Sequence, residues 1–439
     1  MVPGGGTSRT PPRDADDISR RSSGLWAVLA GHADFRRLFA GNSVSLFGSS
    51  VTTVALPLTA VTHLGASPAE MGVLGALAWL PHLVLGLPAG VWVDRLPYRR
   101  VLIVTDAAQL LLVGSIPALA VFRALSIWHL YVVAVLAGVA GLFASVAAQS
   151  FTPRLVPRDR LLAANSALML SNATVGTTGS GIGGVLVAAL GAPMAIVVDA
   201  ASFLVSALCK TRIRTPGRVS AAGEPRPPMR LRSSIAEGWR AVFAHPVLRA
   251  VVVAATVGAF AGQVQAVVLV LYLVRDMSLS SGQIGALIAA GGLASVAGAL
   301  MASRVTHRLG PGPTFILGMF LASVAGLVLA AAVGPFLVAF AVLVFAQCLR
   351  GLGPSLYGVN QQTLRQVLVP AELLARVNAT WRFLAFGGQS LGALAGGVAG
   401  TAFGLRATLV AGSCLMLTGV AAGLLSPVRA LRRLPSAQP

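Results

Sequence analysis

An ionisable side chain inside an apolar helix costs on the order of a few kcal/mol, so each one in this chain needs a chemical reason. Thirteen acids are spread over 439 residues, and most lie in tails or loops. Asp106 and Asp199 are the carboxylates that fall well inside apolar runs. Either is a candidate to carry a proton across a membrane. Asp106 also suits pairing with Arg95 or Arg99, and Asp199 suits hydrogen bonding between helices. Arg350 lies about fifteen residues into its run, which is deep at 1.5 Å of rise per residue. Its charge cannot be titrated away. It fits an anionic ligand, an answer to Asp199, or snorkelling to the membrane face. Arg382 is nearer an interface, where snorkelling is expected. His82 follows Pro81 in the second run and suits helix packing or a proton relay.

The background to these charges is strongly apolar. The chain is 56% hydrophobic and only 10% charged, with a mean hydropathy of +0.81. A soluble domain of this size carries more charge. Apolar runs of about 20 residues recur, each long enough to cross a bilayer as a helix. Helices satisfy their own backbone, and the runs lack the alternation of barrel strands. The expected class is an all-α polytopic membrane protein. Spans fall near 38–61, 70–92, 101–122, 128–149, 162–188 and 193–209. A second set falls near 249–274, 283–303, 313–334, 336–357, 375–401 and 406–426.

The formal charge of +20 does not indicate nucleic-acid binding, because the Arg residues sit in short loops between runs. Arg95, Arg99, Arg100, Arg154, Arg160, Arg304, Arg308, Arg365 and Arg429 fall on one side, and Arg123, Arg275 and Arg406 on the other. The Arg-rich side is expected to be cytoplasmic, with both termini there. The expected organisation is a disordered N-tail (1–34), a six-helix bundle (35–210), a linker (211–246), a second bundle (247–427) and a tail (428–439). In the linker, Ser234 and Glu237 fit a capping box, and Ile235, Trp239, Val242 and Phe243 share one helix face. That helix is expected to lie in the interface with Trp239 at headgroup level. Cys209, Cys348 and Cys414 and six scattered His offer no metal spacing, and no cofactor motif is present. An enzyme would cluster such groups near one face.

An internal repeat links the halves. Trp26, His32, Arg36 and Phe47 recur as Trp239, His245, Arg249 and Phe260. Ser67 and Gly72 recur as Ser280 and Gly285, and Gln149, Pro157 and Asn165 as Gln362, Pro370 and Asn378. Gly183, Gly184 and Gly191 recur as Gly396, Gly397 and Gly404. The shift is close to 213 residues, as for parallel halves related by an axis along the membrane normal.

The loop after the second span reads Gly90-Val-Trp-Val-Asp94-Arg95-Leu-Pro-Tyr-Arg99-Arg100. Gly86 and Gly90, one turn apart, allow close helix approach. Asp94 is placed to pair with Arg or to cap a helix N-terminus. This segment resembles the signature loop of the major facilitator superfamily, Gly-x-x-x-Asp-Arg-x-x-x-Arg-Arg, with Gly90, Asp94, Arg95, Arg99 and Arg100 each matching. The resemblance implies twelve transmembrane helices in two pseudo-symmetric six-helix bundles, with this loop as a conformational latch. The second half has Thr306 where Asp94 sits, so the latch is expected in the first half alone. The stretch 151–168, then GIGGVLVAALGA and VDAASFLVSAL, is similar to the exporter branch that holds macrolide efflux pumps and the enterobactin exporter. Val175–Gly181 lacks the Gly-Pro pair that many antiporters carry in the fifth helix, and Gln109 replaces an Arg common among relatives.

The expected function is a secondary active exporter of amphipathic small molecules, such as a drug, antibiotic or siderophore. It would work by alternating access with proton antiport, as a monomer in the bacterial cytoplasmic membrane. The alternative is uptake or facilitated diffusion on the same fold. Asp106 and Asp199 are the proton-coupling candidates. Asn42, Ser45, Phe47, Thr52 and Gln263 are candidate cavity residues, since the resemblance places the first and seventh helices around the path, and Arg350 is a further one by its depth in the tenth span.

Overall fold

A computed structural model describes residues 28–86, 88–215 and 231–432. The N-tail through Ala27, Leu87, linker residues 216–230 and tail residues 433–439 lie outside the described residues. So do the side chains of Ser234 and Ile235, and with them the capping box expected there.

From Ala33 onward fourteen α-helices follow one another, and no strand occurs among the described residues. They are α1 (Ala33–Leu58), α2 (Pro68–Leu85), α3 (Pro88–Val93), α4 (Tyr98–Val121), α5 (Ile127–Leu155), α6 (Leu161–Leu190) and α7 (Ala192–Thr211). The linker contributes α8 (Leu231–Ala244), and after it come α9 (Pro246–Leu271), α10 (Ser281–Leu309), α11 (Pro311–Ala330), α12 (Phe336–Leu368), α13 (Ala371–Phe403) and α14 (Leu405–Leu425). Eleven of the described helices are long and apolar enough to cross a bilayer. Thirty-residue α6, packed on α1 and α10, takes the place of a twelfth. Large apolar side chains such as Val104, Leu111 and Leu337 stay exposed on the outer faces, as expected for surface solvated by lipid rather than water.

The repeat is visible in local chemistry. Ser67 caps α2 and Ser280 caps α10, and each forms a reciprocal capping box, with Glu70 and Gln283 respectively. Both α1 and α9 end in a π-helical turn, Thr59–His63 and Tyr272–Asp276. Gly191 and Gly404 join the last two helices of each half at φ +81° and +83°, a region that side chains with a Cβ rarely adopt.

Several helices differ from their expected spans, α10 and α12 running on to Leu309 and Leu368, and two of the differences have a visible cause. The second span breaks after Leu85 and restarts at Pro88, which has no N–H to continue the ladder. The fourth runs on to Leu155, well past the apolar run, because Phe151 and Leu155 bury against α4 and the chain ahead of α1. Packing, not hydropathy, sets that end.

Within the first half α1 packs on α6 and α7, α4 on α5 and α7, and α2 on α5. The second half repeats this, with α9 on α13 and α14, α11 on α12 and α14, and α10 on α12. The halves meet chiefly where α2 crosses α13 and α6 crosses α10. At the Arg-poor end one apolar core runs through both halves, from Val51 and Leu74 to Leu271 and Leu409. At the Arg-rich end the cores are separate, one around Phe35 and Phe151 and others around Phe315 and Val242. The molecule is thus sealed at one end and split at the other.

Candidate functional site

The seal is made by repeat glycines. A Cβ at Gly184 would lie 2.5 Å from the carbonyl oxygen of Gly285, and one at Gly397 would lie 2.8 Å from Gly72 Cα. Only glycine permits backbones this close. Arg275 adds a clasp, its Nη2 donating to Gly65 O at 3.0 Å and Ala66 O at 2.8 Å. Ser390 Oγ donates to Ala76 O at 3.1 Å across the same boundary.

At the split end, a cavity of about 790 Å³ opens between α2, α5, α12 and α13. His82, Ser145 and Gln149 line it from the first half, and Gln362, Arg365, Asn378, Trp381, Arg382 and Phe386 from the second. Gln149 and Gln362, a repeat pair, thus face one cavity from opposite halves. His82 packs against Trp79 and Phe386, with ring centroids 5.9 and 5.1 Å away. None of Asn42, Ser45, Phe47, Thr52, Gln263 and Arg350 belongs to this lining. Ser45 Oγ returns to its own helix at Asn42 O, and Phe47 packs against the joined core. Gln263 approaches α2 near Gly75. Arg350 sits on α12 between the stripe facing α11 (Gly353) and the one facing α10 (Gly351). Its Nη1 is buried without a partner.

The signature loop flanks this open end. Val93 is buried while Asp94 and Arg95 are exposed. Asp94 Oδ1 accepts a hydrogen bond from Tyr98 Oη at 3.0 Å. The Arg154 guanidinium lies 4.9 Å from the centre of the Tyr98 ring. Arg99 donates to the carbonyls of Lys210 and Thr211, at 3.4 and 2.5 Å. It therefore ties α4 to the end of α7 and does not reach Asp106. Gly90 has open space where a Cβ would stand, so nothing occupies the close-approach surface in this conformation.

Asp106 has a partner that the sequence reading did not supply. Lys210 Nζ lies 2.9 Å from Oδ1 and 2.8 Å from Oδ2, and Ser206 Oγ donates to Oδ2 at 2.8 Å. Both charged side chains are only 2% exposed. The expected partners Arg95 and Arg99 are not used. Lys210 belongs to the last turn of α7 and is turned inward. As the chain's only lysine, at the end of an apolar run, it carried the signal.

Asp199 is buried where α7 meets α1. Ser49 Oγ and Ser202 Oγ donate to its Oδ1 at 3.3 and 3.4 Å. Thr52 Oγ1 faces the same carboxylate outside hydrogen-bond geometry. No described cation pairs with it, Arg350 included. Gly48 leaves it room, since a Cβ there would meet Asp199 Oδ1 at 2.7 Å.

Helix α8 packs on α13 with Val242 buried, and Trp239 stacks on Phe243 at 5.0 Å. Glu237 pairs with Arg376 of α13. The amphipathic face predicted from the linker is therefore at least partly a protein contact.

The whole chain can be placed among known proteins. The family model described as transmembrane secretion effector matches residues 23–438. The multidrug efflux pump Tap of Mycolicibacterium fortuitum is 28% identical over 395 residues, covering 88% of this chain and 93% of the relative. The enterobactin exporter EntS of Citrobacter koseri is 25% identical over 412 residues, covering 90% and 92%. Among solved structures, a bacterial homologue of the lysosomal transporter Spinster in an inward-facing conformation aligns at TM-score 0.65 and 17% identity, covering 95% of this chain and 99% of that one. The nucleoside transporter NupG aligns at TM-score 0.67 and 12% identity, covering 89% and 98%. These last two bear on fold alone. With its twelve-helix layout, its repeat and its signature loop accounted for, the chain belongs to the transmembrane secretion effector family, an exporter branch of the major facilitator superfamily of transporters.

Proposed function

We propose that this transporter exports amphipathic small molecules across the bacterial cytoplasmic membrane by alternating access, in exchange for protons. One observation carries the reading: the bundles are sealed at the Arg-poor end and open a cavity at the Arg-rich end. With the Arg-rich end cytoplasmic, this is the loading conformation of an exporter. Both termini then lie in the cytoplasm, the bundles are 35–210 and 247–427, and the protein works as a monomer. The efflux pump and exporter named among its relatives support the direction.

Rocking the halves about the glycine crossings would close the cavity and open the far end. Gly90, Asp94, Arg95, Arg99 and Arg100 form the latch of that other state. The exposed Asp94 and the open surface at Gly90 fit a latch that is released in the present one. Asp199 is the better proton carrier. Asp106 is committed to an ion pair with Lys210 that holds two helices together, whereas Asp199 has hydroxyls around it and no described cation beside it. Asn42, Ser45, Phe47, Thr52, Gln263 and Arg350 are proposed as contacts along the deeper path.

The test is uptake into everted membrane vesicles carrying an imposed pH gradient. Antibiotic should accumulate with the gradient and stop when it is collapsed. Asp199→Asn should uncouple transport from the gradient. Uptake indifferent to both would remove proton exchange, and movement only in the opposite direction would favour the uptake reading.

A further inference from the structure

The cavity at the Arg-rich end carries positive charge and unpaired hydrogen-bond donors with no described carboxylate to answer them. Arg365 and Arg382 both line it, and no carboxylate does among the described residues. Arg382 is near enough to Arg365 and His82 for their charges to oppose one another. Arg365 Nε and Nη1, Trp381 Nε1 and His82 Nδ1 are buried without a hydrogen-bond partner, against a single unpaired acceptor in the same lining, the neutral Asn378 Oδ1. Two described acids at this end are spoken for or turned away: Glu237 pairs with Arg376, and Asp94 is exposed and bonded to Tyr98.

Unanswered donors of this kind are costly, and an arginine cannot escape by losing its proton. A guanidinium fork is shaped for a planar oxyanion and binds it through two parallel hydrogen bonds. Beside the fork is a flat apolar wall. Arg365 lies 4.3 Å from the centre of the Trp381 ring, and Phe386 stacks on Trp79 at 5.7 Å and 16°. The volume lies in the range of small-molecule sites. Gln149, Gln362 and Gln366 add neutral polar groups at the edges.

We infer that this cavity is an anion site, which takes a flat amphipathic molecule bearing a carboxylate or similar oxyanion against Arg365 and Arg382, with its rings along Trp381 and Phe386. The inference rests on the exporter reading of the same cavity and names its substrate class. Both guanidiniums belong to the second half, so that bundle holds the anion while the first supplies His82 and amides. The same chemistry has two sources, a soluble aromatic acid or the headgroup of an anionic lipid entering from the side.

Two dyes on one xanthene core separate charge from shape: fluorescein is anionic and rhodamine 123 cationic. Their binding to the full chain in phosphatidylcholine nanodiscs is read by fluorescence anisotropy. Fluorescein should bind about tenfold or more tighter than rhodamine 123. Arg382→Gln and Arg365→Gln should each weaken fluorescein binding by about 10- to 100-fold, as for a lost charge-assisted hydrogen bond, and leave rhodamine 123 binding unchanged or stronger. Arg382 is exposed, so its variant tests the idea without disturbing packing, and Arg365→Lys should keep part of the affinity. Equal affinity for the two dyes, or fluorescein binding that survives Arg382→Gln and Arg365→Gln, overturns the inference. Replacing a third of the lipid with phosphatidylglycerol identifies the source. Competition seen in the parent and lost in the variants marks a lipid headgroup, and an unchanged affinity marks a soluble acid; both uphold the anion site. Anion binding without drug efflux in cells overturns the exporter reading alone, and efflux with no preference for anions overturns this inference alone.

Discussion

Gly184→Ala adds one methyl group where α6 crosses α10. That carbon would sit 2.5 Å from Gly285 O and 2.6 Å from Gly285 Cα. Carbon contacts are relaxed at about 3.5–4.0 Å, so the crossing must widen by about 1 Å. No flexible side-chain end is available to yield, because the opposing atoms are backbone. Overpacking of this kind costs about 1–3 kcal/mol. The cost falls on the conformation sealed at the Arg-poor end and is relieved when that end opens. It therefore shifts the balance between the two conformations by about 5- to 150-fold. Spin labels at Phe122→Cys and Leu337→Cys, both exposed near the Arg-poor end, report the separation of the halves once the native cysteines are removed. Double electron–electron resonance should show a longer distance gaining population in Gly184→Ala. Gly181→Ala is the control on the same helix, since its Cβ would meet Ala289 Cα at an ordinary 3.6 Å. A folded Gly184→Ala protein whose distances and transport both match the parent would falsify the claim that this crossing is the closing surface.

The remaining predictions concern charge. Asp106→Asn strands a buried lysine and should destabilise the folded protein by about 3–5 kcal/mol, read as early thermal unfolding in detergent. The double variant Asp106→Leu with Lys210→Met should recover most of that loss, and failure to recover would mean the pair does more than hold α4 to α7. Asp94→Asn should cripple drug export at normal membrane abundance, because this loop is needed only in the state where the Arg-rich end is shut. Full activity in that variant would remove the latch.

Much of the fold was legible because its causes are local. The cost of an unpaired amide in hydrocarbon forces long apolar runs to be helices. The two serine caps, the two π-turn endings and the two left-handed glycines repeat at one spacing because each half solves the same local problem. Less of the site was legible. Asp106 could be flagged as a buried acid, but its partner lies 104 residues away on another helix. Arg365 read as one more interfacial arginine, although its neighbours leave two of its nitrogens without a bond. The polar groups of the first span pointed towards a cavity, yet several bond to their own helix or face Asp199.

The sequence by itself determined that this is a duplicated helical membrane protein with the acidic signature loop in one half, since hydropathy, Arg placement and repeat spacing are properties of the chain in order. Only the tertiary structure decided which repeat glycines became contacts between the halves, which acid kept a counter-ion and which arginines were left without one. Those outcomes depend on how helices far apart in sequence cross, because contact and burial are set by distances that no spacing along the chain encodes.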